Sequence, residues 1–212
     1  MSTVKLSLDH LYTDLDNSMF QLRQQSEAVE KSRKIVDLAL LDGDAHYGIN
    51  TGFGVLANKR ISSEDLAILQ KNILLSHACG VGDPIPPEIT RLMLQLKIHS
   101  LSLGFSGVSE QTFRQLLNLE EQGILPWIPS RGSVGASGDL APLAHMCLPL
   151  IGRGEVWDDA LSSRVPAAGV LEAKGIQAIS LQAKDGLALI NGTQMMAAYG
   201  AFVLERTLGL QR

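Results

Sequence analysis

The chain has 212 residues and a net charge of −4, with 18 basic and 22 acidic side chains. That length suits one core or two small lobes, and the charge offers no attraction for nucleic acid or an anionic membrane surface. Cys79 and Cys147 give neither a disulfide framework nor zinc-ligand spacing, and both read as small core residues in apolar surroundings.

The Met1 start lacks the charged-then-apolar pattern of a secretion signal. No run of about 18 apolar residues marks a membrane span, so a cytoplasmic, soluble protein is expected. Val4 to Leu8 alternates as a short strand does. Asp14 to Leu41 is charged and Gln-rich with apolar residues at 15, 19, 22, 29, 36 and 40, a patchy amphipathic pattern that predicts more than one helix. Four glycines from Gly43 to Gly54 predict a loop. Ser62 and Ser63 offer N-caps, Glu64 and Asp65 suit the positive end of a helix dipole, and Leu66, Leu69, Ile73 and Leu74 carry the helix to about Ser76.

Pro84, Pro86 and Pro87 mark a break and a new start. Ile89, Leu92, Met93 and Leu96 form one stripe and Leu94, Ile98 and Leu101 another, so this helix belongs inside a bundle. Ser109 caps a helix with the stripe Phe113, Leu116 and Leu117, ending at Gly123. Pro126 to Pro129 is extended, and Pro142 fits the first turn of a helix opening near Asp139 and Leu140. Val156 with Trp157, and then Gly175 to Leu181, read as short strands. Asp185 or Asn191 opens the last helix, with Leu187, Ile190, Met195 and Ala198 roughly on one face. Strands are too few for a βαβ series. The predicted fold class is mainly α: a helical bundle domain with a few short β elements, one domain over 1–212.

The least ordinary stretch runs from Pro129 to Met146. Gly132, Gly135 and Gly138 fall within seven residues and allow positive φ and close backbone approach. Ser137 lies between the two smallest side chains. One reading is a glycine-rich turn ahead of a helix. The other is a tripeptide that folds back so that the Gly138 nitrogen attacks the Ala136 carbonyl; loss of two waters then leaves a conjugated five-membered ring with an electrophilic methylene. Other catalytic patterns fail on spacing. A hydrolase elbow needs Gly-x-Ser-x-Gly, whereas Asp139 stands two residues after Ser137. There is no phosphate-binding loop and no His-Glu-x-x-His or cysteine pair for zinc.

The stretch resembles the active-site signature of the aromatic amino acid ammonia-lyases, whose Ala-Ser-Gly becomes MIO (4-methylidene-imidazol-5-one). Tyr47-Gly-Ile-Asn-Thr-Gly-Phe-Gly54, Leu75-Ser-His-Ala-Cys-Gly-Val-Gly82 and Asn191-Gly-Thr-Gln194 match in the same order. The resemblance runs from about Tyr47 to the end. It is nearest the histidine ammonia-lyases through Gly104-Phe-Ser-Gly107, Leu140 to Met146 and Asn191 to Gln194.

The resemblance implies the N-terminal, MIO-bearing part of a longer enzyme of ammonia-lyase-like fold. The implied reaction is non-oxidative elimination of ammonia from L-histidine to give urocanate, through an electrophile made from Ala136, Ser137 and Gly138, with no metal or nucleotide. Tyr47 is the implied acid–base group; a free phenol has a pKa of about 10, so a positive setting is needed for it to act as base. Asn191 contacts the ring or the substrate amine, or caps a helix. Gln194 shares the site, and His77 faces the substrate side chain. Asp139 assists ring formation or caps the next helix, while His46, His99 and His145 are structural. Helices opening near Leu140 and Asn191 would converge on the ring and raise its electrophilicity. The implied partners are the amino acid substrate and further copies of the chain, a homotetramer in the family, with no nucleic acid and no membrane. A tyrosine or phenylalanine ammonia-lyase or an aminomutase is the alternative within the family. A catalytically incomplete helical fragment is the alternative of another class, since further catalytic groups come from later sequence and neighbouring subunits.

Overall fold

The computed structural model describes residues 5–42, 44–52, 61–135 and 138–210. Ala136 and Ser137, Phe53 and Gly54 of the Tyr47 motif, and Val4 of the expected first strand lie outside those residues.

The centre of the core is α4 (Pro87–Ser102), opened by a proline in its first turn. Ile89, Leu92, Met93, Leu94, Ile98 and Leu101 are all buried, so α4 is apolar around most of its circumference, as its two stripes predict. Packed on it are α1 (Leu11–Gln24) through Leu15 and Met19, α5 (Glu110–Glu121) through Phe113 and Leu116, and α9 (Gln194–Leu210). Each such fully buried aliphatic side chain contributes roughly 1.5–3 kcal/mol. The region from Asp14 to Leu41 divides as expected, into α1 and α2 (Glu27–Leu41).

The predicted caps form. Ser62 Oγ accepts from Asp65 N at 3.3 Å and opens α3 (Ser63–His77). Ser109 Oγ accepts from Thr112 N at 3.2 Å and opens α5. Ser109 also ties α5 to α8 (Asp185–Ile190). The buried Asp185 carboxylate accepts from Ser109 N at 2.7 Å and from Ser109 Oγ, Thr112 Oγ1 and Gln182 N at 2.8 Å each. Burial pushes the Asp185 carboxyl up, and these four donors pull it back.

Two short antiparallel pairs complete the framework. β1 (Val81–Pro84) pairs with β2 (Pro129–Arg131), setting Val81 opposite Arg131 and Pro84 opposite Pro129. That pairing lays the loop after α3 beside the glycine-rich stretch. β3 (Glu155–Trp157) pairs with β4 (Arg164–Pro166). Between the pairs lies α6 (Leu140–Cys147), and α7 (Ala167–Ala173) follows β4.

Three expectations are corrected. The described part of the first expected strand is not a strand: Leu8–His10 is a turn of 3-10 helix. Ser7 N and Ser7 Oγ donate to Asp14 Oδ2 at 3.0 and 3.1 Å, a side-chain capture that competes with strand pairing. Gly175 to Leu181 forms no strand either; Ile176 N donates to Leu171 O and Ile179 N to Leu150 O, so its backbone closes on helix ends instead of a partner strand. Cys79 is exposed, because it sits in the loop beyond α3; only Cys147 is a core residue.

The segment Asp185–Gly209 averages a mean hydropathy of 1.3 over its most apolar stretch, enough by length and composition to cross a membrane. Its backbone is interrupted, however. Asn191 is extended at φ −84°, ψ 121°, dividing α8 from α9, and α9 packs on α4. Asp185 and Asn191, each considered as a start for the last helix, lie at the start of α8 and at this break.

Candidate functional site

The site grows from one tight turn and one helix break. Gly135 and Gly138 form an antiparallel bridge across the two intervening positions, with Gly138 N donating to Gly135 O at 3.4 Å. Gly138 has φ +96°, a conformation in which a side chain is strained. A Cβ added there would also collide with the Gly192 carbonyl oxygen. Gly138→Ala is therefore expected to destabilise the fold by about 2 kcal/mol or more and to block any ring closure at this turn. Chemical denaturation and intact mass check the two effects.

Asp139 joins the two motifs. Its N–H donates to Gly192 O at 2.8 Å. Its fully buried carboxylate accepts from Ser133 Oγ at 2.7 Å and from Met196 N at 3.0 Å. Met196 is the third residue of α9, so Asp139 satisfies one of the orphan donors at that helix start and makes no side-chain cap for its own helix α6. The starts of α6 and α9 thus lie side by side, with their positive ends at one place.

At the break, Asn191 is exposed and its carbonyl accepts from Lys97 Nζ at 2.8 Å. Gln194 presses its side-chain amide on Gly192, and its buried Oε1 has no hydrogen-bond partner among the described residues. The bridge from Gly138 to Gly135, a glycine where a side chain will not fit, and an orphaned acceptor nearby together fit a heterocycle built from Ala136, Ser137 and Gly138. Among the described residues no group of three or more His, Cys, Asp or Glu side chains is placed to hold a metal ion.

The other predicted residues approach through their elements. His77 ends α3, with Nδ1 2.9 Å from Ile73 O. A carbonyl only accepts, so Nδ1 carries a proton, and the tautomer this selects has its lone pair on Nε2. The loop that follows is fixed to the site's scaffold: Gly80 N donates to His145 Nε2 at 3.0 Å, and burial pushes the His145 pKa down, consistent with a neutral acceptor. Tyr47 sits on the turn 47–50 and is 58% exposed. Gly48, at φ +74°, a conformation strained for other residues, lies against the Leu187 side chain, which docks that turn on α8. The structure therefore brings Gly138, Asp139, Gly192 and Gln194 together. His77 and Tyr47 are linked to them through α6 and α8.

Lys97 is the residue that sequence reasoning missed, and its signal was a lone ammonium between Leu96 and Ile98 in a doubly apolar helix. Burial pushes its pKa down to about 8, against 10.5 for a free lysine. Burial pushes the neighbouring Cys147 thiol up to about 12. The unfolded chain thus holds more protons at Lys97 between pH 8 and 10.5, and folding there becomes more favourable as pH rises. Cys147 acts in the opposite sense, losing stability as pH rises from about 9 towards 12. Comparison with Lys97→Met cancels the cysteine. Between pH 8 and 10.5, urea melts should show the stability difference moving by roughly 3 kcal/mol in favour of the wild-type chain.

The model of the aromatic amino acid lyase family matches residues 11–212. The histidine ammonia-lyase of Anaeromyxobacter dehalogenans is 51% identical over 185 residues, covering 85% of this chain and 36% of that protein. Among solved structures, histidine ammonia-lyase from Trypanosoma cruzi aligns with a TM-score of 0.76 at 37% identity, over 84% of this chain and 33% of that one. Ergothionase from Treponema denticola aligns with a TM-score of 0.84 at 29% identity, over 96% of this chain and 41% of that one. The chain belongs to the aromatic amino acid lyase family, and its helical architecture is that of the family's ammonia-lyases and aminomutases. It spans little more than a third of the length of the curated relatives it matches.

Proposed function

We propose that this chain is the MIO-bearing part of a histidine ammonia-lyase, which eliminates ammonia from L-histidine to give urocanate in the cytoplasm as a step of histidine degradation. The observation that carries the reading is the junction of Gly138, Asp139 and Gly192, where two motifs more than fifty residues apart meet in hydrogen-bond contact. Identity of about half to proteins named histidine ammonia-lyase supports the histidine substrate over the aromatic alternatives, since the tyrosine aminomutase aligned with it is 34% identical.

Ala136, Ser137 and Gly138 would form the methylidene-imidazolone, which supplies an electrophilic carbon to the substrate. The remaining work falls to the chain's own side chains. Gln194 Oε1 is a buried acceptor that an ammonium N–H of the substrate would satisfy, removing the cost of an orphaned carbonyl. The Nε2 lone pair of His77 accepts from an imidazole N–H of the substrate. The Asn191 amide donates towards the ring or holds the substrate amine. Tyr47 moves the β-proton of the substrate.

The reading treats residues 1–212 as a single helical domain and includes a homotetramer. Val203, Leu204 and Leu208 leave α9 with an exposed apolar stripe that a further copy would cover. The test is turnover. With L-histidine, urocanate absorbance should grow, and L-tyrosine and L-phenylalanine should be poorer substrates. Faster turnover of tyrosine would overturn the substrate assignment. An unmodified intact mass with no turnover would make the chain a catalytically incomplete unit.

A further inference from the structure

Lys97 occupies the middle of α4, 2% exposed, and spends its ammonium on a single backbone carbonyl, that of Asn191. Among the described residues no carboxylate pairs with it. A buried charge without a counter-ion is unfavourable, and a leucine or methionine would fill the same space at less cost. The carbonyl it grips is the hinge between α8 and α9. Asn191 N closes α8 on Leu187 O, and one residue later Gly192 O accepts from Asp139 N and abuts Gly138. The three-residue break is thus held from one side by Asp139 and from the other by Lys97.

We infer that Lys97 is a positioning residue: its ammonium fixes the Asn191–Gly192 break so that the Asn191 side chain and the Gly138 peptide keep their places relative to each other. The inference rests on the proposed ammonia-lyase reading, in which Asn191 and Gly138 belong to the same site. The lowered pKa of Lys97 agrees with a group kept in place despite its desolvation.

The test compares wild type, Lys97→Met and Lys97→Arg in the whole chain by thermal midpoint, amide exchange and intact mass. Lys97→Met should melt no lower than wild type at neutral pH, since the buried charge is gone. Exchange at the Asp139 and Met196 amides should nevertheless quicken, on the order of tenfold, the usual factor for one charge-assisted hydrogen bond. The Phe113 amide in α5 should be unchanged. Loss of two waters at the Ala136-Ser137-Gly138 turn should slow by a similar factor, and Lys97→Arg should recover both readouts. Wild-type exchange and dehydration in Lys97→Met would overturn the inference, as would a lowered midpoint with exchange quickened equally at Phe113. If the wild-type chain itself loses no water, the ammonia-lyase reading fails for this chain, and the exchange ratio still decides the role of Lys97.

Discussion

Ser137→Ala is expected to leave the fold intact and abolish turnover. Alanine differs from serine by a single oxygen, and the bonds described around this stretch belong to Gly135, Gly138 and Asp139. The hydroxyl is needed for the chemistry, because its departure as water creates the methylene of the proposed ring. Without it no electrophile forms, the β-proton keeps its ordinary acidity and the amine remains a poor leaving group. Turnover of L-histidine should fall by a factor on the order of 10³ or more. Intact mass should read the full mass of the variant chain with no water lost, and the thermal midpoint should be unchanged. Full activity in this variant, with no dehydrated species in the wild type, would remove the basis of the proposed mechanism.

The second large effect is structural. Asp139→Ala deletes a fully buried carboxylate that serves Ser133 Oγ and Met196 N together. Hydrogen bonds to a charged group contribute about 1.5–3 kcal/mol each, and an unserved N–H at a helix start adds to the loss, so roughly 3–5 kcal/mol is expected. For a chain of this size that lowers the thermal midpoint by about 10 °C. Asp139→Asn should recover part of the loss, because its amide oxygen serves one of the two donors. Ser133→Ala should cost less than either, since Met196 N keeps its partner. A melt of Asp139→Ala indistinguishable from wild type would show that the carboxylate does not hold the junction.

Local signals were legible wherever the physics is local. Ser62 and Ser109 announced their helices because a cap needs only the next three residues. The two apolar stripes of α4 announced a buried helix for the same reason. Ser7, by contrast, turned the expected first strand into a helical start by bonding Asp14, a pairing that period-two alternation does not register. Gly175 to Leu181 has the composition of a strand but no strand to pair with among the described residues, and pairing is a property of the whole fold. In the candidate site the motif residues were legible, while their connections were not. Asp139 was weighed as a cap for the helix that follows it, and it caps one that starts more than fifty residues later. Lys97 was passed over because a lysine among leucines reads as a solvated charge until a carbonyl is seen above it.

The span of 57 residues between Asp139 and Met196 has a bearing on the timing of biosynthesis. A nascent polypeptide that has left the ribosome only as far as Cys147 possesses Ser133 but neither Gly192 nor Met196. The turn meets its distant partners only once translation has passed the start of the final helix. Any maturation of the turn that demands those partners must follow synthesis of this whole stretch, and a ribosome stalled before Gly192 would yield a product with the tripeptide still unprocessed.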